Sequence, residues 1–318
     1  MRGRFTVSPE GYRRVALLAL GALTLIVFTG AAVRLSGSGL GCPDWPKCYG
    51  KVIAPLETHA VIEYGNRILS GLVGVVAVAA GVLAWRRRPF RRDLALLGAM
   101  LPVGVVAQAV LGGFTVRHHL APGFVMAHFA LSMLILVAAV GLAWLASREP
   151  GDRPRSADRL AVWSVRGLLP LGALTILVGT AATAAGPHAG GAGTGDEINR
   201  LELRGAETLD WMISRHAILA ALLSAASVAV WLLLRRRRAN AGARRAVSVV
   251  VGLLAAQGVV GMAQYALELP AEIVWVHVVL AAATWICLLW ATAASGRLAP
   301  RPGEEAAPAG AGYRVRPS

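Results

Sequence analysis

Long apolar runs alternate with short polar segments along the whole chain. Eight runs approach or exceed the ~20 residues that an α-helix needs to cross ~30 Å of hydrocarbon. They are Arg14–Val33, Val61–Trp85, Leu94–Val116, Gly123–Leu145, Ala161–Ala184, Trp211–Leu234, Val247–Ala266 and Ile273–Ala294. Several carry internal breakers, Pro102 and Pro170 among them. Membrane helices tolerate these because neighbouring helices re-satisfy the freed backbone groups. The pattern predicts an all-α membrane protein with eight transmembrane helices.

Composition agrees. Of 318 residues, 56% are hydrophobic and only 15% are Asp, Glu, Lys or Arg, against about 25% charged in an ordinary soluble domain. The net charge of +15 invites a nucleic-acid reading, but its placement argues against one. Arginines cluster in alternate connections: Arg2, Arg4, Arg13 and Arg14; Arg86, Arg87, Arg88, Arg91 and Arg92; Arg148, Arg153, Arg155 and Arg159; Arg235 to Arg238 with Arg244 and Arg245; then Arg297, Arg301, Arg314 and Arg316. This is the positive-inside pattern. It predicts a multi-pass protein of the cell membrane with both termini cytoplasmic, surrounded by lipid bilayer and binding no nucleic acid. An even number of spans predicts the same. The outer loops then cover about 35–60, 117–122, 185–210 and 267–272. The first run lacks a small-residue cleavage site closely behind it and exceeds a signal-peptide core of 7–15 residues, so a retained helix is expected. The stretch 300–318, rich in Pro, Gly and Ala, reads as a disordered cytoplasmic tail.

The runs repeat with an offset near 150. Gln108-Ala-Val-Leu-Gly112 precedes His128 by 20 residues, and Gln257-Gly-Val-Val-Gly261 precedes His277 by 20. Asn66-Arg67-Ile68-Leu69 matches His216-Ala217-Ile218-Leu219, and Thr29-Gly30-Ala31-Ala32 matches Gly179-Thr180-Ala181-Ala182. Both halves start inside, so they are parallel repeats about an axis along the membrane normal. Two four-helix bundles are expected: 1–150, and 151–299 before the tail. Bundle interiors commonly house cofactors.

Of seven histidines, His128, His216 and His277 fall in the first two turns of helices that begin outside. Ionisable groups within spans are costly and default to functional hypotheses. His216 and His277 belong to the second and fourth helices of one half, placed to clamp a flat metal macrocycle through neutral imidazole nitrogens. The alternative is a pair of interhelical hydrogen bonds. In the first half His128 matches His277, but Asn66 stands where His216 would be. Glu63, one turn before Asn66, has Ile213 as its counterpart. A carboxylate at that depth can exchange protons or form an ion pair with Arg67 at i+4 or with Arg34. His118 and His119 read as interfacial, and His188 sits in a Gly-rich loop able to close over a ligand edge.

Cys42 and Cys48 frame Cys-Pro-Asp-Trp-Pro-Lys-Cys in the first outer loop, where an oxidising environment permits a disulfide. A structural staple and a redox-active pair both remain open, and the ligands for a zinc site are not grouped there. Cys287, inside the last run, reads as packing.

Taken together, Arg34-Leu-Ser-Gly-Ser-Gly-Leu-Gly-Cys42-Pro-Asp-Trp-Pro46 with Cys48, Ile62-Glu63-Tyr64, Gln108 to Gly113, His128-Phe129, Gly186-Pro-His188-Ala-Gly190, His216 and His277 resemble the haem A synthase family, and its actinobacterial form in particular, over about residues 14–295. The resemblance implies an oxidoreductase that converts the C8 methyl of haem O to the formyl group of haem A by successive hydroxylations. It implies haem b between His216 and His277 as cofactor, and Glu63 as a catalytic residue. The substrate haem O would lie in the first half near His128, His59, Asn66 and Arg67. A Cys42–Cys48 disulfide tied to electron flow is implied too, as are haem O synthase and cytochrome oxidase assembly factors as partners. The family's Glu-x-x-His-Arg motif is broken here at Asn66, which predicts a substrate site with His128 as its only firm protein ligand and His59 as an outer neighbour of Glu63 at i+4. The rivals are a quinol-oxidising b-type cytochrome, which has no use for a one-sided Glu63; a two-repeat transporter, which would carry polar groups at midplane; and a prenyltransferase, whose Asp-rich loop motifs are missing.

Overall fold

The structure, a computed structural model, describes residues 5–191, 193–195 and 198–299; the tail expected at 300–318 lies outside them. Eight helices form on the eight apolar runs: α1 Pro9–Leu35, α2 Thr58–Arg86, α3 Arg92–Arg117, α4 Pro122–Ala146, α5 Arg159–Ala185, α6 Thr208–Arg236, α7 Ala241–Ala266 and α8 Ala271–Ala294. All are long and apolar enough to cross a membrane, so the chain is an all-α, multi-pass membrane protein. The helices outrun the apolar stretches because polar residues supply the missing end partners. Ser8 caps α1 through the Gly11 N–H, with Pro9 in the first turn. Asp158 caps α5 through Ala161, and Asn240 caps α7 through Gly242. Pro102 and Pro170 lie inside α3 and α5, and both helices continue through them.

In α1–α4, α1 packs on α2 and α4, and α3 packs on α2 and α4. In α5–α8 the same neighbour relations recur. The two rings meet where α8 lies against α1 and α4 and α5 lies against α4. Indole N–H groups lock this seam: Trp285 donates to the Met133 carbonyl at 3.0 Å and Trp275 to the Phe28 carbonyl at 2.9 Å. Small residues let backbones approach, as expected between membrane helices; a Cβ on Gly81 of α2 would stand 3.0 Å from the Gly98 carbonyl oxygen of α3. Large apolar side chains such as Leu18, Leu72, Val75, Val103, Val106 and Val259 point outward and are more than half exposed. In water such a surface would be a liability; in lipid it is the solvent-facing surface.

The two ends of the bundle differ in chemistry. At the end where α1 starts and α8 finishes, the arginine-bearing segments fold inward. Arg87 is fully buried, donates to the Pro89 carbonyl and pairs with Glu149. Arg91 grips Asp93 with two bonds of 3.1 and 3.0 Å and donates to the carbonyls of Leu145 and Arg148. Two short parallel strands, β1 Arg155–Ser156 and β2 Arg297–Leu298, tie the linker between the halves to the segment after α8. The opposite end carries the histidines, the cysteines and the long loops.

Candidate functional site

In the second ring, α6 and α8 present His216 and His277 to each other, with ring centroids 6.0 Å apart and planes at 68°. Two imidazole–metal bonds of ~2 Å each, plus the distance from each nitrogen to its ring centre, give about the same separation. The pair therefore fits one metal ion held between two rings. His216 Nδ1 lies 3.0 Å from the Thr175 carbonyl of α5. A carbonyl only accepts, so Nδ1 carries the proton and Nε2 keeps its lone pair free; this is how an outer partner fixes the tautomer of a ligating histidine. Glycine makes room for both rings. A Cβ on Gly179 would stand 2.7 Å from His216 Cε1, and a Cβ on Gly261 would stand 3.4 Å from His277 Cε1. His277 Nδ1 is buried without a hydrogen-bond partner, as is Gln257 Oε1. Buried polar atoms of this kind are normally satisfied, so these two orphans belong to a place that takes a polar or metal-bearing guest. With two opposed imidazoles, a glycine cradle and a fixed tautomer, the residues fit a haem.

The first ring repeats half of this arrangement. His128 of α4 lies against Gly112 of α3, where a Cβ would stand 3.2 Å from Cε1. Its Nδ1 and Gln108 Oε1 are again buried without partners. Gln108 donates through Nε2 to the His128 carbonyl at 3.0 Å and to Ser132. Across the ring, Asn66 of α2 accepts a 2.7 Å hydrogen bond from the Thr29 hydroxyl of α1. A cleft of about 390 Å³ opens beside this pair, lined by Ala32, Val33, Ile62 and Leu69 as well.

Glu63 stands one turn beyond Asn66 and is buried. Its Oε2 accepts from the Cys42 backbone N–H at 2.7 Å, and its Oε1 accepts from Arg67 Nε at 3.1 Å and from Nη2. Of the two partners expected for Glu63, the structure gives it Arg67. The guanidinium also donates to the carbonyls of Cys42, Asp44 and Lys47 at 2.9–3.0 Å. Four bonds, one from Glu63 and three from Arg67, thus fasten the loop between Cys42 and Cys48, which are joined by a disulfide, onto one face of α2. Asp44 closes the loop by accepting from the N–H groups of Tyr49 and Gly50. Desolvation pushes the Asp44 carboxyl up, but the N–H groups of Gly50 and Tyr49, its own backbone N–H and the Arg67 charge together hold the group below its ordinary value. Trp45 packs on α3, where a Cβ on Gly113 would stand 2.8 Å from the indole. Of the adjacent Gly112 and Gly113, one therefore admits His128 and the other Trp45.

His59 takes a different position from Glu63. Its Nδ1 bonds the Ser38 hydroxyl at 2.8 Å, and its ring fills the space that a Cβ on Gly193 would need, at 2.1 Å. Loops of the two halves cross here: the Gly39 N–H donates to Gly190 and the Gly193 N–H to Gly37, at 2.8 and 3.2 Å. Arg34 of α1 reaches the Thr183 carbonyl of α5 at 3.3 Å. His188 Nε2 donates to the Leu269 carbonyl at 2.6 Å, drawing the 186–190 loop toward the α7–α8 turn. His118 stacks on Phe124, with ring centroids 4.6 Å apart.

The residues singled out in the sequence therefore fall into three groups: His216 with His277; His128 facing Gly112, in the ring that also holds Asn66; and Glu63 with Arg67, Cys42 and Cys48. Sequence reasoning missed the Thr175 carbonyl, the Ser38 partner of His59, and Trp45 as a lid on α3. The usable signal was glycine: Gly112, Gly113, Gly179 and Gly261 each lie opposite a ring.

Comparison with known proteins bears on these groups. Over 137 residues the chain is 34% identical to Heme A synthase of Alkalihalophilus pseudofirmus, covering 42% of this chain and 45% of that protein. It is 33% identical over 147 residues to Heme A synthase of Bacillus licheniformis, covering 44% and 48%. A Protoheme IX farnesyltransferase of Halobacterium salinarum is 34% identical over 144 residues, covering 44% of this chain and 30% of that protein. The matched part thus spans between about a third and a half of these relatives. At the level of families, residues 13–289 match the description "cytochrome oxidase assembly protein". With that match running through all eight helices, the chain belongs to the COX15-CtaA family of cytochrome oxidase assembly proteins.

Proposed function

We propose that this protein is a haem A synthase that oxidises the C8 methyl of haem O to a formyl group. The observation that carries the reading is the asymmetry of the two rings. One sets two imidazoles against each other; the other sets a single imidazole in the matching place, with a buried carboxylate one turn from the Asn that replaces its partner. An electron-transfer cytochrome would have no need of that one-sided carboxylate. A relative named for protohaem farnesylation does not favour a prenyltransferase here, because the loops lack paired aspartates.

In this reading residues 1–150 form the substrate half and 151–299 the cofactor half. His216 and His277 hold haem b, which supplies a one-electron relay when bound. Thr175 keeps His216 in the ligating tautomer, and Gly179 and Gly261 give both rings their clearance. His128 holds the substrate haem O. Two successive two-electron hydroxylations, each taking its oxygen from water and releasing two electrons and two protons to an external electron acceptor, would convert the methyl to a geminal diol, which loses one water to give the aldehyde. Glu63, steadied by Arg67 and the Cys42 N–H, is placed to accept and return protons at the rim of that site. The arginine-bearing end faces the cytoplasm of a cell membrane, and both termini lie on that side. Haem O synthase is the expected donor of substrate, and cytochrome oxidase assembly factors the expected recipients of product.

The test is pigment extraction from cells that accumulate haem O, with and without this protein, followed by chromatography. Haem A should appear only with the protein. Unchanged haem O beside a protein that carries its own low-spin haem would leave a cytochrome and not a synthase.

A further inference from the structure

Positions 29 and 179 correspond through the matching segments Thr29-Gly30-Ala31-Ala32 and Gly179-Thr180-Ala181-Ala182. Both face the position that is Asn66 in one half and His216 in the other. Gly179 lies so close to His216 that an added Cβ would stand 2.7 Å from Cε1 and 2.9 Å from Nδ1. Carbon contacts settle near 3.5–4.0 Å, so an imidazole seated like His216 tolerates nothing larger than glycine at 179. Thr29 has both a Cβ and branches. Its hydroxyl donates to Asn66 Oδ1 at 2.7 Å, which fills the same place with a compact hydrogen-bonded pair. The two differences between the halves are therefore one: glycine goes with histidine, threonine with asparagine. Beside the Thr29–Asn66 pair lies the apolar cleft of about 390 Å³, which gives a small molecule a way in.

We propose that Thr29 is the residue that makes the first site single-imidazole. Together with Asn66 it caps the face opposite His128 and excludes a second protein ligand, so a haem bound there keeps one axial position for a small exogenous ligand. An amide oxygen already committed to a hydroxyl is a weak donor to iron. The idea rests on the two-site reading above, and the test separates its failure from the failure of that reading.

The full chain is purified, saturated with iron protoporphyrin IX, reduced and titrated with carbon monoxide. The wild type should carry a low-spin haem that ignores carbon monoxide and a second haem that binds it. Asn66→His alone should still bind carbon monoxide, because Thr29 obstructs the ring. Thr29→Gly with Asn66→His should lose carbon monoxide binding and gain low-spin absorption. The reciprocal pair, Gly179→Thr with His216→Asn, should turn the inert haem into one that binds carbon monoxide, and it keeps the idea testable if the first pair fails to fold. Loss of carbon monoxide binding in Asn66→His alone, equal to that of the double variant, would overturn the role of Thr29. So would a wild type carrying two inert low-spin haems. A protein that binds no haem at all, with His216 and His277 intact, would instead overturn the two-site reading itself.

Discussion

His216 and His277 differ in how completely the protein prepares them: the first has its Nδ1 proton placed by Thr175, the second keeps a buried Nδ1 with no partner. His216→Ala and His277→Ala should each abolish most of the low-spin absorption, because a single remaining imidazole cannot give the strong two-sided axial field. An unchanged spectrum in both variants would refute the ligand assignment. Glu63→Gln keeps the shape of a side chain that touches Cys42 and Arg67 but removes the charge. It should leave the low-spin spectrum intact, cost ~1–3 kcal/mol for the buried guanidinium that loses its anion, and suppress haem A; a normal yield on chromatography would make Glu63 structural only. Residue identity could be read from the sequence, since histidines inside apolar runs have few explanations. The partners could not. Thr175 contributes a carbonyl, which any residue supplies, and Ser38 meets His59 only because two loops cross.

Among the elements, the 42–48 loop is the one most elaborately fixed, held by the disulfide, by Arg67 from below and by Asp44 from within. Maleimide labelling of protein isolated aerobically should find no reactive thiol at Cys42 or Cys48 before reduction and two afterwards; full labelling without reductant would contradict the disulfide. Arg67→Ala strips three carbonyls and leaves Glu63 with one N–H, so it should destabilise by about 3–5 kcal/mol, the usual cost of orphaning a buried charge, and speed reduction of the disulfide. Asp44 adds a pH dependence. Its folded pKa is depressed, so its contribution is complete above the ordinary value of ~3.9 and fades as pH falls through the lower folded value. Reduction by a water-soluble phosphine should therefore accelerate only in acid, and Asp44→Asn should bring that faster rate to neutral pH. The helices themselves were legible as runs because lipid forces every span to be apolar and long. The loop's fastening was not, because carbonyls and a Trp45–Gly113 contact leave no pattern in composition.

At the scale of the whole molecule, the arginine clusters have two uses. Their placement predicted which end faces the cytoplasm, and engineered single cysteines at the arginine-bearing end should resist impermeant reagents in intact cells while those near Gly50 react; the reverse would invert the proposed topology. Yet Arg87 and Arg91 are buried partners of Glu149 and Asp93, a role that a run of like charges does not announce. The internal repeat was legible from 20-residue spacings, while the seam through Trp275 and Trp285 was not, since it joins residues 247 and 152 positions apart. The crossing of residues 37–39 with 190–193, and the seating of His59 under Gly193, has a consequence for biogenesis. The first half reaches the far side of the membrane early in synthesis, but its rim has no roof until the ribosome has delivered more than a hundred further residues. Until then Ser38, His59 and the neighbouring loop lack their partners from 190–193, so in the proposed topology Cys42 and Cys48 should be free to pair before the step that closes the rim.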